Sequence, residues 1–257
     1  MITSIATLNK STLLADNTFE LQFETEPSFV HEAGQFVTIK IPNTDSGASS
    51  ATNPDANLTA SSTTNSEPIV MRSYSISSIS KSGHFELCVK KVENGRGSSY
   101  LSSLKEGEKV EFMGPFGHFI FKKDKTKNHI LIGTGTGIAP LKSIIEDELQ
   151  KGNDSPIHLL FGVRYVKDLF YKDLFAKLAA KNPNFTYEII ISRPENPSWE
   201  QNGGKIGRVT DLLKDLAIDT NNTDIYICGL KEMVLETTKM LEEKGIQKEN
   251  INFERFN

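Results

Sequence analysis

Apolar residues recur at every second position through the first half of the chain: Leu21 with Phe23, then Val37, Ile39 and Ile41, then Phe85, Leu87 and Val89, then Val110 with Phe112. A period of two sends alternate side chains to opposite faces, so each run predicts a half-buried strand, with Gly, Pro and Asn turns between runs. Short strands at this spacing predict an antiparallel β-barrel over residues 1–125. After residue 128 the rhythm changes. Apolar strands at 130–132, 157–163, 187–191, 225–228 and 251–256 alternate with helical stretches that reach residue 150 and cover 168–180, 209–216 and 232–244. That βαβ alternation predicts an α/β, doubly wound parallel sheet over residues 126–257, with residues 125–128 as the linker.

A length of 257 residues suits two modest domains. The net charge of −4 argues against a nucleic-acid partner. Lys122, Lys123, Lys125 and Lys127 form a local basic cluster, either a solvated loop or a surface for an acidic partner. Cys88 and Cys228 lie far apart without metal-ligand spacing, which predicts neither a disulfide framework nor a metal site and fits a reducing cytoplasm. No run approaches the roughly 18 apolar residues that span a bilayer, and the first residues lack a leader pattern, so a soluble cytoplasmic protein is expected. Residues 44–67 are almost wholly small and polar, with Leu58 as the one large apolar residue, and are expected to be a mobile insertion between two barrel strands.

Three stretches carry candidate chemistry. In HILIGTGTGIAPL, from His129 to Leu141, a strand breaks at Gly133, Gly135 and Gly137, with Thr134 and Thr136 between them, and a helix follows. Such a turn brings backbone N–H groups and a helix N-terminus close to a phosphate; its plain alternative is a tight strand–helix turn. The following strand ends in Arg164, where a ribose-binding acid would stand in the common dinucleotide fingerprint. In Met71-Arg72-Ser73-Tyr74-Ser75-Ile76, a strand would put Arg72 and Tyr74 on one face, a guanidinium for phosphate beside a ring for a flat heterocycle. In Asn94-Gly95-Arg96-Gly97-Ser98-Ser99, Ser98 or Ser99 is placed to cap a short helix at a second phosphate region. Gly114-Pro115-Phe116-Gly117 reads as a strand exit.

RSYS, GRGSS, GPFG, GTGTGIAP, Tyr226-Ile227-Cys228-Gly229-Leu230 and Phe253-Glu254-Arg255-Phe256 stand in an order that resembles the ferredoxin–NADP reductase superfamily, and the resemblance covers nearly the whole chain. It implies FAD on the barrel and a nicotinamide nucleotide on the α/β domain. By resemblance, Arg72 contacts the FAD pyrophosphate with Ser73 beside it, Tyr74 flanks the isoalloxazine, Ser75 bonds near flavin N5, and Gly97, Ser98 and Ser99 cradle the diphosphate. Gly133, Thr134, Gly135, Thr136 and Gly137 receive the nucleotide, and Cys228 with Gly229 lies beside nicotinamide C4; a buried structural cysteine is the alternative. Glu254 and Phe256 share a face at the flavin cleft, although this chain has Phe where plant-type members have Tyr, and Asn257 follows. That departure leaves an edge strand as the competing reading of Phe256.

Ser192 and Arg193 end the third α/β strand, where a guanidinium suits a 2′-phosphate, with Lys205 and Arg208 downstream to assist. NADPH is therefore expected, with NADH open; Thr210 or Asp211 caps the next helix in the plain reading. The chain has no iron–sulfur cysteine spacing, so the implied acceptor is a separate ferredoxin or flavodoxin, meeting Lys90, Lys91 or the 122–127 cluster. Competing readings are a reductase of a small acceptor, a reductase component of an oxygenase, and a nucleotide-binding subunit without turnover.

Overall fold

The period-two runs become strands whose inward residues are sealed from solvent: Leu21, Phe23, Val37, Ile39, Phe85, Leu87 and Phe112 are all 0 % exposed. The computed structural model describes residues 3–42, 70–122, 127–195 and 198–256. In it, β1 (Ser4–Ala15), β2 (Thr18–Glu24), β3 (Phe36–Ile41), β4 (Val70–Ser75), β5 (His84–Lys90) and β6 (Lys109–Phe116) form an antiparallel sheet in the order β4-β3-β6-β1-β2-β5. Helix α1 (Arg96–Ser103) joins β5 to β6 and buries Leu101 against the same core. The rings of Phe23, Phe29, Phe85 and Phe112 meet at centroid distances of 5.1 to 5.5 Å, filling the centre of that core.

Two expectations are corrected here. The barrel is not closed by a continuous ladder: the outer strands β4 and β5 meet just past β4, through the isolated bridge Ile76–Leu87 and the Ser77 N–H to Glu86 C=O bond of 2.8 Å. The 114–117 turn does not end the strand, because β6 continues to Phe116, which pairs with Phe36. The expected insertion at 44–67 lies outside the described residues, as do residues 125 and 126 of the 125–128 linker.

The second sheet is all parallel. Strands β7 (Asn128–Thr134), β8 (Ile157–Val163), β9 (Phe185–Ile191), β10 (Lys205–Ile206), β11 (Thr223–Leu230) and β12 (Ile251–Phe256) lie in the order β10-β9-β8-β7-β11-β12. Between them run α2 (Ile138–Gln150), α3 (Lys172–Lys181), α4 (Ser198–Gln201), α5 (Val209–Asp215) and α6 (Lys231–Glu243). One apolar cluster includes Leu141, Ile144 and Phe175 of α2 and α3; another includes Leu213, Val234 and Leu241 of α5 and α6, so helices cover both faces. Helix α3 starts at Lys172 rather than 168, because a short 3-10 turn at Val166–Asp168 and the left-handed Tyr171, φ 60°, intervene. The order reverses between β7 and β11, the crevice where open α/β sheets bind ligands at their C-terminal edge.

Candidate functional site

On the first sheet, β4 and the start of α1 are pressed together. A Cβ built on Gly97 would lie 2.5 Å from Tyr74 Oη and 2.9 Å from Arg72 Cγ, so only glycine lets the helix approach this strand. Arg72 and Tyr74 thus share one face beside the start of α1, where the Gly97 and Ser98 amides precede the Ser99 N–H to Gly95 C=O bond of 2.8 Å that opens the helix. Burial pushes the Tyr74 phenol up to about 12, with Arg72 opposing, so it is neutral.

Ser73 departs from the expectation, since its hydroxyl pairs with Thr38 Oγ1 at 3.0 Å across to β3. Neither Ser98 nor Ser99 caps the helix. The N-cap is Gly95, and Ser98 Oγ donates to Gly95 C=O at 3.2 Å while accepting the Val92 N–H at 3.2 Å, closing the preceding loop. The Ser98 hydroxyl is thus spent within the loop.

On the second sheet, Gly133 pairs with Cys228 across β7 and β11, and Cys228 pairs with Glu254 across β11 and β12. A 3-10 turn, Gly135–Gly137, leads into α2. A Cβ on Gly137 would sit 2.3 Å from Cys228 O, and one on Gly229 would sit 2.5 Å from Thr134 Oγ1, so the turn closes directly on the cysteine strand. Gly135 differs: its φ is +54° and nothing lies within 4 Å of where its Cβ would be. The glycine turn therefore presents a concave backbone and open space, which fits a diphosphate.

The two halves meet at Ser75 and Glu254, whose side chains hydrogen-bond at 2.8 Å, Ser75 donating. Burial raises the Glu254 carboxyl above the ordinary range, and the Ser75 bond partly offsets this. Burial, with Glu254 nearby, pushes the Cys228 thiol well above its usual value. Phe256, on the edge strand β12, is half-buried and packs on the apolar cluster that contains Cys228.

Comparison with known proteins agrees with this arrangement. Residues 56–121 match the oxidoreductase FAD-binding domain and residues 131–239 the oxidoreductase NAD-binding domain. Ferredoxin–NADP reductase B of Sorangium cellulosum is 31% identical over 244 residues, 92% of this chain and 91% of that protein. The chain belongs to the ferredoxin–NADP reductase-like flavoprotein superfamily. This flavoprotein is an oxidoreductase with an FAD-binding and a nicotinamide-nucleotide-binding part.

The toluate 1,2-dioxygenase electron transfer component of Pseudomonas putida is 33% identical over 186 residues, and one component of the Na(+)-translocating NADH-quinone reductase of a Marinomonas strain is 36% identical over 168. The alignments take in 72% and 63% of this flavoprotein, but only 54% and 40% of those two relatives. In fold it superimposes on the Amycolatopsis cytochrome P450 reductase, with a TM-score of 0.81, 24% identity, and coverage of 99% of this chain and 70% of that one. It also superimposes on a Neisseria gonorrhoeae ferredoxin NADP+ reductase, with a TM-score of 0.77, 19% identity, and 98% of both chains covered.

Toward the periphery, the flavoprotein departs from several expectations. Arg164 and Arg193 are exposed and adjacent, joined by the Arg193 N–H to Arg164 C=O bond of 2.8 Å, with the exposed Ser192 beside them. Lys205 does not reach this group; its ammonium is held by Glu188, and Arg208 lies 3.7 Å from Glu236. Asp211 accepts the Arg208 N–H at 2.8 Å, the plain capping role, while Thr210 is buried. Of the described lysines expected to face an acceptor, Lys91 is exposed, while Lys90, Lys122 and Lys127 hold partners within the protein. Lys90 pairs with Asp168 at 2.7 Å, Lys122 donates to Glu249 C=O, and Lys127 pairs with Asp224 at 3.0 Å; Lys123 and Lys125 lie outside the described residues.

Sequence reasoning missed Lys142, Ser143 and Gly34, where α2 touches the first sheet. A lysine inside the apolar run of α2 and a glycine before β3 were the available signals. Among the described residues, no group of three or more His, Cys, Asp or Glu side chains could hold a metal, and no helix is long and apolar enough to cross a membrane.

Proposed function

We propose that the protein passes hydride from NADPH to FAD and then single electrons to a ferredoxin or flavodoxin. The observation that carries this reading is the Ser75–Glu254 hydrogen bond, which joins the flavin-side strand β4 to the strand next to Cys228. In this reading Arg72 and the first-turn amides at Gly97 and Ser98, with Ser99 beside them, hold the FAD diphosphate, while Tyr74 and Phe256 flank the flavin ring. The residues Gly133 to Gly137 hold the nucleotide diphosphate, and Cys228 with Gly229 borders the nicotinamide. The bound flavin and nicotinamide supply the redox chemistry, and the protein supplies orientation and a dry, polar-lined contact.

Ser75 orients the Glu254 carboxyl, which keeps its proton to higher pH than an exposed carboxylate would. The uncharged Cys228 thiol packs as a small apolar wall. NADPH is favoured by the two exposed arginines, Arg164 and Arg193, side by side at the sheet's C-terminal edge, with Ser192 adjacent. The match to Sorangium ferredoxin–NADP reductase B over nine-tenths of both chains supports a ferredoxin-type acceptor.

A second reading, a reductase component of an oxygenase, is favoured by the likeness to the toluate dioxygenase component. The test is stopped-flow mixing of flavin-loaded protein with NADPH or NADH, followed by added ferredoxin or flavodoxin. Rapid bleaching by NADPH and reoxidation by either carrier is expected. A protein that takes up no flavin, or whose flavin does not bleach, overturns the proposal; reoxidation by a copurifying oxygenase alone selects the second reading.

A further inference from the structure

Behind the candidate site, on the far side of α2, a groove of about 760 Å³ separates the two sheets; Lys81, Lys142 and Lys181 line it, and Lys142 is the buried one. Lys142, 5 % exposed, donates to the Ser77 backbone C=O at 2.9 Å and lies 2.9 Å from Glu146, 3.5 Å from Glu86 and 3.9 Å from Glu20. Its ammonium also stands 5.2 Å from the centre of the Tyr171 ring, and the Tyr171 hydroxyl donates to Glu20 at 2.6 Å. Glu20 is on β2, Glu86 on β5, Ser77 just past β4, and Glu146 on α2 itself. One ammonium therefore gathers polar groups from three places on the first sheet and holds them against a helix of the second. Beside it, the Gly34 N–H donates to Ser143 Oγ at 3.0 Å, a second bond across the same boundary.

The positions at each end of this contact matter. Lys142 lies little more than a turn into α2, whose start at Gly137 abuts Cys228. Ser77 follows closely on Ser75, which bonds Glu254. The latch is thus connected by short, rigid stretches to the glycine turn on one side and to the flavin-side strand on the other.

We propose that Lys142 is a positioning residue for hydride transfer, an inter-sheet latch that fixes how closely the nucleotide-binding turn approaches the flavin-side strand. Without its cation, Glu20, Glu86 and Glu146 lose their shared partner in a partly dry groove, Glu86 keeping His84 at 3.7 Å, and the boundary opens. Hydride transfer is sensitive to such a change, since a misplacement of about 1 Å costs on the order of 100-fold in rate. The inference rests on the flavin and nucleotide reading given above.

The test compares flavin-loaded wild type with Lys142→Met and Lys142→Arg. For Lys142→Met, flavin content and nucleotide Kd are expected to stay within about 3-fold, while bleaching at saturating NADPH slows by about 10- to 100-fold. Amide exchange at Gly34, read in the flavin-free protein, is expected to accelerate at least about 10-fold as the boundary opens. Lys142→Arg, which keeps the cation, is expected to restore bleaching to within about 3-fold of wild type. Should the Met variant not fold, Glu20→Gln combined with Glu86→Gln takes its place and is expected to slow bleaching by about 3- to 10-fold. Wild-type bleaching and wild-type Gly34 exchange in a folded variant overturn the latch, as does a loss confined to nucleotide affinity. If the wild type itself fails to bleach, the functional reading falls, and faster Gly34 exchange in Lys142→Met still supports the latch.

Discussion

Ser75 on β4 and Glu254 on β12 share a 2.8 Å hydrogen bond, part-buried, across 179 residues of sequence. Burial raises the Glu254 carboxyl, so the folded chain holds that proton more tightly than the unfolded chain does. A raised carboxyl gives stability that is fully present below the ordinary carboxylate range and is lost as pH climbs through the folded value. Glu254→Gln is therefore expected to raise Tm by about 2 °C near neutral pH, with the gain vanishing at about pH 4. Calorimetry of both proteins across that span checks the sign; a gain that grows toward acid contradicts it.

The glycines of the nucleotide turn separate into two kinds. Gly137→Ala drives a methyl to within 2.3 Å of the Cys228 carbonyl, a backbone atom with little room to yield. Its expected cost is about 3 kcal/mol in urea unfolding. Gly135→Ala meets nothing within 4 Å and bears only the left-handed backbone strain, about 1 kcal/mol. Its methyl enters the space assigned to the diphosphate, so nucleotide Kd is expected to rise more than about 10-fold. Equal stability losses, with unchanged Kd for Gly135→Ala, contradict this division.

Both cysteines are buried, and burial raises both thiols, Cys88 to about 12 and Cys228 well above the usual value. Thiolate is the reactive form, so iodoacetamide is expected to label neither at about pH 8 until the chain is unfolded. Mass spectrometry before and after denaturation decides the point.

The alternating runs were legible because their inward positions are large: Val37, Ile39 and Ile41 declare one face, and the strands at 157–163 and 251–256 match the structure end to end. Strand β1 was not legible, since its fully buried residues are only Ala6 and Leu8, set among Thr, Asn and Ser that face solvent or the ladder edges. The site's parts were visible as motifs, yet their partners were not. Nothing near Ser98 in sequence announces that its hydroxyl closes the 92–95 loop, and nothing near Lys127 or Lys205 announces Asp224 or Glu188. Long polar side chains take their partners from the tertiary fold, which local spacing does not encode.

Arg193→Ala is expected to lower kcat/KM for NADPH about 10- to 100-fold and to leave NADH within about 3-fold, because a guanidinium pairs with a 2′-phosphate that NADH lacks. Lys205→Ala, whose ammonium is already held by Glu188, is expected to alter neither nucleotide by more than about 3-fold. Steady-state kinetics with both nucleotides test the pair, and equal losses for Arg193→Ala remove it from 2′-phosphate recognition.

The strand order also sets a timetable. A growing chain makes the glycine turn after β7 early and then adds β8, β9 and β10 along one flank; only afterwards do β11 and β12 dock on the other. Until they arrive, Gly137 has no wall to close on and Ser75 no acceptor. In the proposed reading the site is thus completed only by the last two strands, and a chain clipped before β11 is expected to lack nucleotide-driven bleaching altogether.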